Sequence, residues 1–324
     1  MVTTRFQWVM HFRHEFMRGI FAIGPLTYVA PGIVARVGRP VGRERRAIIG
    51  RMFSRRSLLL ASLGVPLAAS PAQAQQRRSL ADPLRLGADT AVFDSGLARA
   101  LQKAFGRDTG VAVQLVRHPA LPLLDVLERG ELDAALCNVP DAESRLDAQG
   151  LVHDRRAIAV GDFVIVGPAP RGKDRDPASL AGLRDGASAL VRLREAAIAA
   201  PGTVRFLSAN DGSGTHAAEQ ALWRAAALAP AAPWYIAADT TRSLVAQARE
   251  LNAHALVERG VWLAQGGTPL AVLVEGDLRL AEHVHVMRSF RVGHPAAKLF
   301  VAWIAGARGR RVVGAQRGYR PPAA

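Results

Sequence analysis

Apolar residues along this chain fall into short runs that alternate with amphipathic stretches. Leu84–Ala88, Val111–Val116 and Ala134–Cys137 are runs of strand length, each followed by a segment of helical period. Gly96–Phe105 places Leu97, Leu101 and Phe105 on one face, a Leu-rich stretch runs up to Arg129, and a third helix is expected over Ala142–Gln149. The strongest strand signal is Asp162–Pro168, built on Phe163-Val164-Ile165-Val166. Pro168–Pro177, polar and rich in Pro and Arg, reads as a surface connection. A second series follows, with a helix over Ser179–Ala199, a strand at Val204–Leu207, a helix from Gly214 and another near Thr241–Leu251. Ala271–Glu275 and Val284–Met287 are further strands, and helices over Ala296–Ile304 and Arg308–Ala315 end the pattern. Such alternation predicts an α/β fold, a parallel sheet covered by helices on both faces.

The N-terminal portion does not share this pattern. Ser54-Arg55-Arg56-Ser57-Leu58-Leu59-Leu60 gives a twin arginine ahead of an apolar run, and Ala72-Gln73-Ala74 supplies small residues for cleavage. These parts, in this order, predict a twin-arginine signal peptide over residues 52–74. Its apolar run is too short for a membrane span and is interrupted by Gly64 and Pro66. Residues 1–51 are expected to be an over-extended reading frame ahead of a true start at Met52, the alternative being an unusually long n-region.

Removal of that leader changes the charge. The whole chain carries +15, whereas the 250 residues after Ala74 carry 31 Lys+Arg and 25 Asp+Glu, a net of +6. The cationic residues are spread along the chain with no basic cluster interleaved with aromatics, so nucleic acid is not an expected partner. Cys137 is the single cysteine, which rules out an internal disulfide, and in its apolar run it acts as a small hydrophobe. A soluble, periplasmic monomer is expected.

Ser208-Ala209-Asn210-Asp211-Gly212-Ser213-Gly214-Thr215-His216 runs from an apolar segment into a helical pattern. A helix start has unpaired N–H groups and a partial positive charge, and glycines let the backbone approach a ligand. With hydroxyls from Ser213 and Thr215, such a turn can hold a small anion. It can also be an ordinary helix cap, with Asp211 or Ser213 capping. Asp211 stands where a nucleophile elbow needs its first glycine, so Ser213 is not expected to be a catalytic serine. His283 and His285, on one side of a strand, with His294 beyond, lack the further ligand of a metal site.

Several segments together resemble the tungstate-type periplasmic solute-binding proteins, which feed an oxyanion to an ABC importer. They are Asp94-Ser95-Gly96-Leu97, Arg129–Ala135, Pro140–Glu143, Gly161–Pro168, Ser213–His216 with Leu222-Trp223, Trp234-Tyr235, Glu258-Arg259-Gly260 and Leu273–Asp277. The resemblance spans nearly all of Leu84–Gln316. It implies a two-lobed type II periplasmic-binding-protein fold, each lobe a small, mostly parallel sheet flanked by helices. Residues 82–160 with 278–324 would form one lobe and 161–277 the other, with the ligand between them. It further implies a membrane permease as partner, tungstate or molybdate as ligand, no cofactor and no catalysis.

On the family's pattern Thr90 and Ala91 fall at the first ligand-binding turn, where the family has a run of Thr and Ser and this chain has Ala88-Asp89-Thr90-Ala91-Val92. Ser213, Gly214 and Thr215 match, whereas an arginine six residues before Thr215 is here Ala209. Arg117, His118 and Arg242 stand at loops expected to face the cleft, and could restore the positive charge or remain solvated loop residues. Asp89 either opposes an anion, favouring a zwitterion or small organic acid as ligand, or caps the helix that follows it. A sensory or scaffold protein with a degenerate pocket is the remaining alternative.

Overall fold

A computed structural model describes residues 78–170, 176 and 178–323. The expected signal peptide and the segment 1–51 lie outside these residues. The chain begins with β1 (Leu84–Asp89), a short helix α1 (Thr90–Asp94), α2 (Leu97–Thr109), β2 (Val113–His118), α3 (Ala120–Glu128), β3 (Ala134–Cys137) and α4 (Pro140–Ala148). A long strand, β4 (Val152–Pro168), leads to α5 (Gly186–Ala199), β5 (Phe206–Ser208), α6 (Gly214–Ala225), β6 (Tyr235–Ala237), α7 (Leu244–Leu251), β7 (Ala255–Glu258), α8 (Arg259–Gln265) and β8 (Leu270–Val274). A single 3₁₀ turn, Leu278–Leu280, enters β9 (Ala281–Ser289), and α9 (Pro295–Ala305) and α10 (Ala307–Ala315) complete the order.

Among the described residues seven strands form one sheet in the order β2-β1-β3-β9-β4-β7, with β8 also paired to β4, and β5 and β6 form a separate pair. Parallel pairing occurs where β–α–β units supply the crossover it needs, at β1/β2, β1/β3 and β5/β6. The antiparallel pairs involve β4 and β9. β4 changes partners midway: Val152–Asp162 lies against β9, and from Phe163 onward it pairs with β7 and β8.

Side chains alternate across a strand, so a continuous apolar run feeds two cores at once. In β4, Phe163 and Ile165 join one cluster with Leu190, Phe206, Trp223 and Leu256, while Val164 and Val166 join another with Val245, Ala248 and Val257. In β3, Ala134 and Leu136 face Leu86, Phe105 and Phe300, while Ala135 and Cys137 face Leu123, Leu127 and Met287. Phe105 meets Phe300 edge-on with ring centroids 5.1 Å apart, and Phe206 meets Trp223 in the same way at 5.2 Å. Each large side chain buried in this way contributes about 1.5–3 kcal/mol relative to exposure.

The C-terminal segment returns to the sheet. Val160 and Arg320 exchange backbone hydrogen bonds of 2.8 and 2.9 Å, and the Tyr319 hydroxyl lies 3.2 Å from Ser95 Oγ. Just before them Gly318 adopts φ +85°, and a Cβ there would fall 2.7 Å from the backbone of Gly260, so the two glycines touch main chain to main chain.

Two features depart from the sequence expectation. The helix expected over Ser179–Ala199 starts only at Gly186, because Ser179 (φ 51°) and Gly182 (φ 82°) turn the chain and Leu183 bridges to Val274. β4 starts ten residues earlier than its apolar run, across the polar stretch His153-Asp154-Arg155-Arg156. There the strand is held by β9 and by ion pairs, Arg155 to the buried Glu143 and Arg288 to Asp154.

Candidate functional site

The turn ahead of α6 is built from local polar contacts. Ser213 is the N-cap, its Oγ accepting the His216 N–H, and Asp211 Oδ1 accepts the Ser213 N–H at 2.9 Å. Asn210 and Gly212 take left-handed φ values, which fold the chain back sharply. Glu219, buried one turn and more into α6, reaches back to hold the turn from beneath. It accepts from the Tyr235 hydroxyl at 2.7 Å, Trp223 Nε1 at 3.2 Å and the Ala209 N–H at 3.3 Å. Burial raises the Glu219 carboxyl above its ordinary range, against the lowering effect of these donors.

A cleft of about 510 Å³, its open mouth included, lies where this turn meets the start of α1, the end of β2, the β6–α7 connection and the β7–α8 junction. Thr90, Ala91, Arg117, Ser213, Thr215 and Arg242 all line it. The positions come from segments far apart in sequence, and the fold gathers them around one opening. Ala209 lines the same cleft. His118 does not; it is the β2 register partner of Asp89. Gly214 faces a neighbouring hollow along the α6 surface that carries His216 and Gln220. A Cβ on Gly214 would fall 1.9 Å from Asn138 Oδ1, so only glycine fits there. Asp94, Asp211, Asp239 and Glu258 also line the cleft, and sequence reasoning did not assign Asp94, Asp239 or Glu258 to it. Asp94 and Glu258 open two of the segments that carried the family resemblance, which was the signal available.

The donors around this cleft are paired with the chain's own carboxylates. Arg117 makes two bonds to Asp94, 3.0 and 2.9 Å, and Arg242 bonds Glu250 at 2.6 Å. The Thr215 hydroxyl donates to the buried Glu258. Asp89 is the N-cap of α1: its carboxylate accepts the Ala91 N–H at 3.1 Å and, from the start of α6, the Gly214 N–H at 3.4 Å. Thr90 Oγ1 is buried and has no hydrogen-bond partner among the described residues.

Asp89 and Glu258, with Glu282 of β9 nearby, are buried without a bonded cation among the described residues. Asp89 is pushed up to about 7, mainly by burial with a further contribution from the Asp211 charge, against the lowering effect of its backbone donors. Burial takes Glu282 to about 8, and Glu258 is raised well above the carboxylate range by burial and then by the Glu282 charge. Glu282 Oε1 accepts from Asn138 Nδ2 at 2.9 Å. A carboxyl with only neutral donors in a dry site keeps its proton more easily than it sheds it.

Elsewhere the titratable groups are structural. Burial raises the Cys137 thiol well above its ordinary value, as suits a core residue. His285 pairs with Glu143 at 2.9 Å, His294 caps α9 through the Ala296 N–H, and His283 is exposed. His216 Nδ1 accepts from the Gly212 N–H, so Asp211, Ser213 and His216 form a capping arrangement in place of a triad.

A family model described as bacterial extracellular solute-binding protein matches residues 95–320. The chain is similar to the tungstate-binding protein TupA of Peptoclostridium acidaminophilum, with 27% identity over 266 residues, 79% of this chain and 89% of that protein. Among solved structures it is similar to the tungstate ABC transporter from Geobacter sulfurreducens, at 28% identity and a TM-score of 0.61, covering 72% of this chain and 98% of that one. It is likewise similar to the tungstate-binding protein TupA from Desulfovibrio alaskensis G20, at 27% identity and a TM-score of 0.58, covering 75% and 100%. A family match over most of the chain, and a fold shared with solved members nearly end to end, lead to one conclusion: this chain belongs to the bacterial extracellular solute-binding proteins.

Proposed function

We propose that the protein captures a small tetrahedral oxyanion, of the tungstate or molybdate class, in the cleft beside the start of α6 and delivers it to the membrane permease of an ABC importer. The observation that carries this reading is the convergence of Thr90, Ser213 and Thr215 with Arg117 and Arg242 around one opening, in a chain whose relatives are named for tungstate. A divalent oxyanion leaving water needs donors from several directions, and hydroxyls, backbone N–H groups and guanidinium forks supply them. The oxyanion is held through its oxygens, with no side chain ligating the metal. On this reading residues 82–160 with 278–324 and residues 161–277 act as two lobes. The change of β4 partners at Asp162 and Phe163 supports that division. The protein acts in the periplasm as a monomer, exported by the twin-arginine route, and performs no catalysis.

Calorimetric titration of the purified protein with tungstate, molybdate, sulfate and phosphate tests the reading. Tight binding of the first two alone supports it; silence with all four retires it. The acidic lining of Asp94, Asp211 and Glu258 favours one second reading, a small zwitterion whose amine meets a carboxylate and whose acid meets an arginine. Its signature is binding of an amino acid by a protein silent toward tungstate.

A further inference from the structure

We infer that anion capture in this cleft is coupled to protonation of Asp89, whose buried carboxylate lies behind the cleft wall and ties together the two backbone segments that flank it. This inference rests on the oxyanion reading above. Asp89 ends β1 and is fully buried. One oxygen accepts the Ala91 N–H and the other accepts the N–H of Gly214, the first residue of the 12-residue helix α6. Both donors adjoin cleft residues, Thr90 and Ala91 on one side and Ser213 and Thr215 on the other. A carboxylate held by N–H groups from both walls makes the contacts an oxyanion's oxygens would make.

Among the described residues Asp89 makes no ion pair, and Arg117, a cation that feels its charge, is committed elsewhere. Arg117 and His118 approach from β2, but Arg117 is forked onto Asp94 of α1. Among the described residues, Cys137 of β3, Asp211 ahead of α6, Glu258 at the end of β7, Glu282 of β9 and Tyr319 near the C-terminus are further titratable groups that couple to it. All of these are acids or neutral. A dianion cannot settle against an ionised Asp89 inside this acidic shell, because like charges in a dry site repel with little screening. A proton taken from solvent removes that conflict. Neutral Asp89 releases its hold on the two N–H groups and offers an O–H donor of its own to the anion. Burial has already brought the carboxyl to about 7, so the proton is within reach at ordinary pH.

The test is calorimetric titration of the full chain with tungstate, which stays fully ionised throughout, at pH 6, 7, 8 and 9. Wild type is expected to lose affinity above about pH 7, approaching tenfold per pH unit. Titrations at pH 8 in buffers of different ionisation enthalpy should report uptake of close to one proton per anion. Asp89→Asn and Asp89→Ser are expected to bind with nearly constant affinity across the range. The buffer series needs no variant, so it decides the matter even where a variant fails to fold. Binding by wild type with a flat pH profile and no proton uptake overturns the coupling and leaves the oxyanion reading intact. A profile that persists in both variants overturns the role of Asp89. Absence of tungstate binding by every protein at pH 6 overturns the oxyanion reading, and the coupling with it.

Discussion

Arg117 is forked onto Asp94, with Nε 3.0 Å from one carboxylate oxygen and Nη2 2.9 Å from the other. The pair spans two elements, the end of β2 and the last residue of α1, and both residues line the cleft. A guanidinium so engaged has its best-aligned donors turned away from any ligand. Asp94→Asn should free it and tighten tungstate binding about tenfold, since a hydrogen bond to a charged group is worth about 1.5–3 kcal/mol, while Arg117→Ala should weaken binding by about as much because it leaves the Asp94 charge unpaired on the cleft wall. Isothermal titration of the two variants checks this, and equal affinities would show that Arg117 does not reach the anion.

Thr215 and Glu258 make a second pair, both buried, the hydroxyl donating to the carboxyl. Burial first and then the Glu282 charge raise Glu258 well above its ordinary value, which favours the neutral acid. Glu258→Gln therefore changes little, less than about 1 kcal/mol, whereas Glu258→Ala strands the Thr215 hydroxyl and costs about 1–3 kcal/mol. Urea unfolding at pH 7 separates the two outcomes. A large loss for the glutamine variant would mean that Glu258 is ionised.

The buried acids also set a direction for stability with pH. Asp89 at about 7, Glu282 at about 8 and the raised Glu258 all lie above the unfolded carboxylate values of about 4. Below those unfolded values both states hold the protons and the stabilising contribution is whole. As pH rises toward 7–8 the unfolded chain ionises first, and the folded state loses that advantage. Asp185 and Asp277, lowered in the folded chain, act in the opposite direction only at more acidic pH. The melting temperature is expected to fall between pH 5 and 8, and Glu282→Gln to flatten the slope. A melting temperature that rises over that interval would contradict this account.

Ala209 sits on the cleft wall, close in the chain to Ser213 and Thr215 and with a side chain too short to reach a ligand. Its backbone is fixed by Glu219, so a longer side chain there starts from a held position. Ala209→Arg is expected to tighten tungstate binding about tenfold or more, through a new charge-assisted fork. Unchanged affinity with a normal melting curve would place the ligand elsewhere in the cleft.

Elements carrying their own period, such as α2 with Leu97, Leu101 and Phe105 on one side, were legible in the sequence, as was the capped turn at Ser213. What could not be read is held in place by distant partners. α1 is one turn long and lacks a periodic pattern, and the polar start of β4 is a strand only because β9 lies beside it. The arginines show the same limit. Their positions near the cleft could be inferred from the resemblance, but their pairing could not. Arg117 and Asp94 stand 23 residues apart, and Asp89 and Gly214 125 apart. Only the folded chain shows that these donors already have internal partners.

Gly260 and Gly318, packed main chain to main chain beside the point where β4 changes partners, have a mechanical consequence. Backbone set against backbone leaves no side-chain layer to absorb a change in spacing, so main-chain atoms fix the separation of the C-terminal segment from α8. A methyl group on either glycine would act as a wedge, on Gly318 against the Gly260 backbone and on Gly260 against the Tyr319 ring, and would prise the end of the chain away from α8.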